Sequence, residues 1–503
     1  MTRATVRCAP VPRRAYILLA ASALLVAFLF QGTRGLYEPS EGRYAEVARE
    51  MRESGNYLEP TLAYRPHWTK PPLTYWSIAG GLAVAGDNAW GVRAYNAIAF
   101  SLTTVAVAAI GATLWGANTG LLAGLVYLSS PYPIVGANVA TADTLLALWE
   151  VLALLAYVRA WRGARAAPWA RLMWLAFGLG FLTKGPPALL PLLALVVFHL
   201  AARRPFRLLD RAGAALFVVS GFWWYALMVA RHHELASYFV GQEIVARTTT
   251  NTFHRNGHWY GPFAVYAPVL LVGPGLWILD AWRTVRRQRL FSWLGWWDAL
   301  RARGGTALLL LWLLLPLIVF ALARSRLPLY LLPLYPAVAI AIARGLSLDR
   351  DASAVRRRAQ RLAAASVVVW VALKAVVALV PSEQDATRLY HEATQVAGPH
   401  AQLALYAEPE LYGFEFHSGS GLQRLSRTGT EPWADHNLAD ALAARPPERP
   451  FAVVVRPRFA GELESALQSQ QVRFERGQAA GRDVFVIAPV SERSRLARSS
   501  SQR

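Results

Sequence analysis

Long apolar runs separated by short polar links fill most of the first 380 residues of this chain. With their flanks, runs such as 15–30, 187–202 and 307–323 match the hydrocarbon thickness of a bilayer. Window hydropathy predicts about eleven spans. They fall at 15–31, 92–115, 118–136, 141–160, 169–183, 186–202, 211–230, 262–280, 306–323, 328–345 and 362–380. Segment 76–86 is apolar but short, and is expected to be a re-entrant or interfacial piece. The small-x-small site of the first run, Ala21-Ser22-Ala23, lies in mid-run, so that segment is expected to stay as an anchor helix.

After about residue 381 the pattern changes to short β-rich runs, at 403–406, 451–455 and 484–487, with a helical stretch at 462–468. The expected fold class is therefore an α-helical polytopic membrane protein with a small C-terminal α/β soluble domain. The expected domains are a transmembrane unit, 1–380, with outer loops 32–91 and 231–261, an α/β domain, 381–490, and a disordered basic tail, 491–503.

A formal charge of +21 would ordinarily raise nucleic acid as a partner. The distribution answers otherwise. Placing Arg3, Arg7, Arg13 and Arg14 in the cytoplasm sends the clusters at 159–171, 203–211, 283–289 and 350–358 to the same side, as the positive-inside rule requires. The single cysteine, Cys8, excludes a disulfide framework within the chain. The polar segments rich in His, Glu, Asp, Lys and Tyr all fall on the opposite side, which in a bacterial inner membrane is the periplasm.

Candidate chemistry concentrates there. Residues 43–54 carry Tyr44, Val47, Ala48 and Met51 at helical spacing and predict an amphipathic helix along the interface, on which Arg43, Glu46 and Glu50 can pair. Glu41 precedes it, either favouring the helix N-terminus or standing at the mouth of a cavity. Asp143 lies at the outer edge of an apolar helix, where acids are costly and usually face a polar cavity; a helix cap is the alternative. Lys70 and Lys184 each precede prolines at the outer side, as snorkelling groups or as point charges for a phosphate. Arg247 lies in the loop 231–261, and Arg326 stands just outside a proline-broken span containing Tyr330. His254 and His258 are four apart and could hold a divalent metal, but no HExxH pattern or nearby third ligand supports one; no cofactor is certain, and a divalent metal stays open. Walker A, GxGxxG and Ser-His-Asp signatures are absent from the sequence, so a nucleotide-driven reaction is not expected.

Glu41-Gly42-Arg43-Tyr44-Ala45-Glu46, Lys70-Pro71-Pro72, Tyr75-Trp76, Asp143 after Thr141-Ala142, Lys184-Gly185 and the proline-rich run 327–336 occur in the order seen in a known family. In these motifs the chain resembles the bacterial lipid A aminoarabinose transferases, within the protein-mannosyltransferase-like (family 39-type) GT-C glycosyltransferases. The resemblance covers roughly residues 15–345. It implies a multi-pass inner-membrane hexosyl or pentosyl transferase that takes a sugar from a polyprenyl-phosphate carrier and passes it to lipid A or another envelope glycan at the periplasmic face. Glu41 and Asp143 are implied as catalytic, and Arg43, Lys70, Lys184, Arg247, Arg326 and Tyr330 as donor- or phosphate-binding. Where the family usually has an Asp-Glu pair this chain has Ser40-Glu41, and Thr69 stands where an acid often precedes the lysine, which leaves a neutral sugar open. A protein O-mannosyltransferase-like enzyme is one alternative. A polyprenyl-linked sugar flippase is another, of a different class.

Overall fold

The computed structural model describes residues 11–163, 165–203, 206–288 and 292–489. Arg3, Arg7, Cys8, Arg204, Arg289 and the expected tail 491–503 lie outside the described residues.

Eight helices lead from the start of the described chain to the centre of the molecule: α1 (Arg13–Phe28), α2 (Ser40–Ser54), α3 (Leu73–Ala85), α4 (Ala89–Trp115), α5 (Ala117–Ser129), α6 (Pro131–Ala137), α7 (Ala142–Arg162) and α8 (Ala166–Lys184). Every segment predicted to span is helical, but not every one is a long straight helix. Among the described residues six helices are long and apolar enough to cross a membrane, or eight if two bent pairs each count as one. By length and composition alone this is fewer than the eleven spans expected, several of which fall on shorter or broken helices. Segment 118–136 breaks between α5 and α6 with a 61° bend, and 262–280 breaks between Gly261–Val272 and Gly275–Arg287 at 88°. Prolines lie at both breaks: Pro131 and Pro133 start α6, and Pro274 precedes the second helix; proline cannot donate the helical hydrogen bond. The expected re-entrant piece is α3, thirteen residues long.

A large apolar core joins α1, α4, α5, α7 and the span Pro328–Leu346. A second core lies above it. There Tyr44, Val47 and Met51 of α2 pack on Tyr75 and Ile78 of α3, on Val92 and Tyr95 of α4 and on Leu145 and Leu148 of α7. Helix α2 starts at Ser40, three residues before the predicted start. It does not lie open along the interface, because Phe416 from the C-terminal domain joins this core.

A short hairpin, β1 (Thr61–Leu62) and β2 (Arg65–Pro66), follows α2. The C-terminal domain is a six-stranded sheet made of β3 (Gln402–Tyr406), β4 (Gln423–Ser426), β5 (His436–Asn437), β6 (Phe451–Val455), β7 (Glu475–Ala479) and β8 (Arg482–Ile487). The order is β5-β4-β3-β6-β8-β7, with β5 to β6 parallel and β8 and β7 antiparallel. β6 is buried at every position, as expected for a central strand covered on both faces. Helices Leu438–Ala444 and Pro457–Ser469 pack on one face; Ala386–Ala397 and Tyr412–Ser418 pack on the other.

Candidate active site

The Glu41 carboxylate is hydrogen-bonded through both oxygens. Its Oε1 accepts from Arg93 Nε at 2.8 Å and from the Ala140 amide at 2.9 Å. Its Oε2 accepts from Arg34 at 2.6 Å, Arg93 at 2.7 Å and the Tyr37 amide at 3.1 Å. Arg93 is fully buried and also donates to the carbonyls of Gln31, Arg34 and Gly35. Burial would push the Glu41 carboxyl up, but the charges of Arg93 and Arg34 outweigh it and hold it at about 2. Glu41 therefore does not stand at the mouth of a cavity. It is a poor base with no free lone pair, and it ties the first outer loop, α2, α4 and the turn before α7 together.

The other acids of α2 also differ from expectation. Arg43 pairs with neither of them. Glu46 is bonded by Arg49 at 2.7 and 2.8 Å, and Glu50 accepts from Thr61 at 2.5 Å and from the Tyr64 amide at 3.0 Å. Among the described residues, the Arg43 guanidinium lies 5.9 Å over the ring of Tyr44.

Asp143 is not a cap, because Thr141 takes that position at the start of α7. Its Oδ1 instead accepts from Lys184, the last residue of α8, which Gly185 ends with φ 77°. The same ammonium lies 4.7 Å over the ring of Tyr330. Beside this pair, Glu243 bridges two cations, with Lys70 Nζ at 3.2 Å and Arg247 at 2.8 Å. Burial pushes the Lys70 ammonium down to about 7; Glu243 opposes that shift, while Arg247 and Lys184 add to it. Burial also raises Glu243, but Lys70 and Arg247 overcome that and leave it below the usual carboxylate range. The enclosed His67 ring, 2.7 Å from the Thr69 hydroxyl, is driven to about 3 by burial and by the charges of Arg43 and Lys70. Four cations, Arg43, Lys70, Lys184 and Arg247, thus surround two carboxylates, which leaves an excess of positive charge suited to a phosphate.

Arg326 is not part of this group. It donates to the carbonyls of Asn256 (2.7 Å), His258 (2.9 Å) and Ala321 (3.0 Å), so it clamps the loop that carries His254 and His258. His258 stacks on Tyr260. Among the described residues no three His, Cys, Asp or Glu side chains gather as a metal site. Arg34 and Arg93, unassigned by the sequence, are central, and so is Glu243. Arg93 did carry a signal, as a lone arginine two residues into an apolar span.

At the opposite end of the spans, Asp280 meets Arg283 and Arg358, and Arg287 meets Asp349. The arginine-rich links therefore lie away from the Asp143–Lys184 pair.

This is the architecture of the GT-C glycosyltransferases. The solved structure of ArnT from Cupriavidus metallidurans bound to undecaprenyl phosphate superposes with a TM-score of 0.73 at 22% identity, covering 93% of this chain and 97% of that one. Residues 69–225 match the family described as dolichyl-phosphate-mannose-protein mannosyltransferase. An undecaprenyl phosphate-α-4-amino-4-deoxy-L-arabinose arabinosyl transferase from Pseudomonas savastanoi pv. phaseolicola is 31% identical over 339 residues, covering 65% of this chain and 60% of the relative. One from Pectobacterium carotovorum is 31% identical over 356 residues, covering 69% and 61%. The matches thus span about three-fifths of the length of these curated relatives. In sequence the chain is similar to these arabinosyl transferases and in fold to ArnT, and its long apolar helices make it a multi-pass membrane protein.

Proposed function

We propose that this protein transfers a sugar from a polyprenyl-phosphate carrier to lipid A or a similar envelope acceptor, at the periplasmic face of the bacterial inner membrane. The observation that carries the reading is that Lys184 pairs with Asp143 while Lys70 and Arg247 pair with the neighbouring Glu243, and the Arg43, Lys184 and Asp143 charges all act on Tyr44. Relatives named for undecaprenyl phosphate-linked aminoarabinose support the donor class.

In the reaction the acceptor oxygen bonds to the anomeric carbon of the sugar, the bond from that carbon to the phosphate oxygen breaks, and polyprenyl phosphate leaves. The cations stabilise the charge that develops on the leaving phosphate. Where the acceptor is a hydroxyl, Asp143 takes its proton; Lys184 orients the carboxylate for this. Where the acceptor is itself a phosphate, no base is needed and the Asp143–Lys184 pair only positions it. Glu41 contributes through the frame it holds. Ser40 and Thr69 in place of the family's usual acids leave the sugar open to a neutral pentose or hexose. A protein hydroxyl as acceptor is a second reading, supported by the mannosyltransferase family match over 69–225.

The deciding experiment supplies purified protein with a labelled polyprenyl-phosphoryl sugar and lipid A. Release of polyprenyl phosphate together with labelled lipid A supports the reading. Labelled donor that crosses a vesicle membrane intact, with no release, would replace the transferase by a flippase.

A further inference from the structure

The C-terminal domain meets α2 along a seam with too many acids. The backbones of Gly42 and Gly413 touch, so a Cβ on Gly42 would collide with the Gly413 amide, and one on Gly413 would sit 2.8 Å from Glu38 Oε1. This close approach encloses two carboxyls, Glu38 from the membrane part and Glu415 from the helix Tyr412–Ser418. Glu38 Oε1 accepts from the Gly413 amide, while its Oε2 is buried with no hydrogen-bond partner. Glu415 Oε1 is likewise buried without one; Arg424 is 3.6 Å away.

The neighbouring charges do not relieve them. Facing the seam from α2 are Glu41, Glu46 and Glu50, and from the domain come Arg424 and Asp435. Glu41 is taken by Arg34 and Arg93, Glu46 by Arg49, and Arg424 is shared with Asp435.

We propose that Glu38 and Glu415 form a proton-operated latch that holds helix Tyr412–Ser418 against α2 when protonated and releases it when both carboxyls are charged. Burial pushes Glu38 up to about 8; the Gly413 and Phe414 amides oppose this, and the Glu415 and Glu41 charges add to it. Burial likewise raises Glu415 to about 8, against Arg424 and with help from Glu46, Glu50 and Asp435. In solvent both would titrate near the ordinary glutamate value of about 4.3. The closed state therefore holds more protons than the open one. Closure is strongest below that value, weakens as pH rises, and stops weakening above about 8. The strip that adjoins the latch is held through backbone amides. There the Gly35 amide bonds Asp385 at 3.0 Å, the Ala386 amide bonds the Leu36 carbonyl at 2.9 Å, and the Glu38 amide bonds the Gln384 carbonyl at 3.0 Å. That strip acts as the hinge, and α2, which carries Arg43, is uncovered as the domain swings.

The latch is independent of the sugar, the acceptor and the reaction itself. Hydrogen exchange by mass spectrometry on the full chain in detergent tests it, with uptake corrected for the chemical rate at each pH. Peptides covering 412–418 should exchange at least about tenfold faster at pH 8.5 than at pH 6.5, since each proton lost on opening contributes up to tenfold per pH unit. In the double variant Glu38→Gln with Glu415→Gln, the corrected rate should stay flat. A flat rate in the native protein, or the same rise in the double variant, overturns the latch.

Discussion

Asp143 and Lys184 are 41 positions apart in sequence, yet they close an ion pair between the first turn of α7 and the last turn of α8. The hairpin of two helices brings them together at one end of the bundle. Removing either partner leaves the other charge enclosed and unpaired. Asp143→Asn is expected to lower transfer to a hydroxyl acceptor by about 100-fold or more, the usual scale for losing a general base. Release of labelled polyprenyl phosphate measures it, at protein levels in the membrane equal to the native chain. Full activity in this variant would remove Asp143 from the reaction.

Lys70 gives the site a basic limb. Its ammonium, held down to about 7 by burial, loses its charge as pH rises through that value, and a phosphate then loses one of its cations. The KM for the donor should rise above about pH 7 while kcat changes less. In Glu243→Gln the opposing carboxylate is gone, so the limb should move to lower pH by about one unit. A pH–KM profile identical in the native and variant proteins would contradict this assignment.

For Glu41 the expected loss is of structure. Glu41→Ala strands Arg93 in a buried position, and breaking one side of such a pair costs about 3–5 kcal/mol. The Glu41 carboxyl lies at about 2, below its unfolded value, so its contribution is present above about pH 4.3 and is lost as pH falls through about 2. Thermal melting in detergent should show a large drop for Glu41→Ala at neutral pH. A variant that melts like the native protein but has no activity would instead restore Glu41 as a catalytic group.

Arg326→Ala should act on the loop and leave the charge cluster intact. Three carbonyls lose a charged donor, which costs on the order of 2 kcal/mol. Proteolysis within 251–260 should speed up, with little change in the pH dependence of donor binding.

The pattern of spans and the change of composition near residue 381 were legible because periodicity and hydropathy are local properties. So were Lys70, Asp143, Lys184 and Arg247, since isolated charges beside apolar segments stand out. Glu41 was not, because its partner Arg93 is 52 positions away and only the packing of α2 against α4 shows that the acid is consumed. The Arg43–Glu46 pairing failed for a related reason: Arg49 sits at an equivalent spacing from Glu46 and reaches it with two nitrogens, a competition that spacing alone does not decide. Strands β4, β5 and β7 were too short or too polar to stand out.

The hinge strip bears on how the chain is made. Residues 35–38 emerge from the ribosome early, yet the amides of Gly35, Leu36 and Glu38 are bonded by residues 384–387, which emerge about 350 positions later. The loop between α1 and α2 is therefore made long before its final neighbours exist. Until then Arg34, Arg93 and Glu41 can lock the membrane half of that loop by themselves, while the half that meets the C-terminal domain waits. Truncated chains that end before residue 384 should insert normally and still present an unfinished surface, a state that quality-control proteases can recognise.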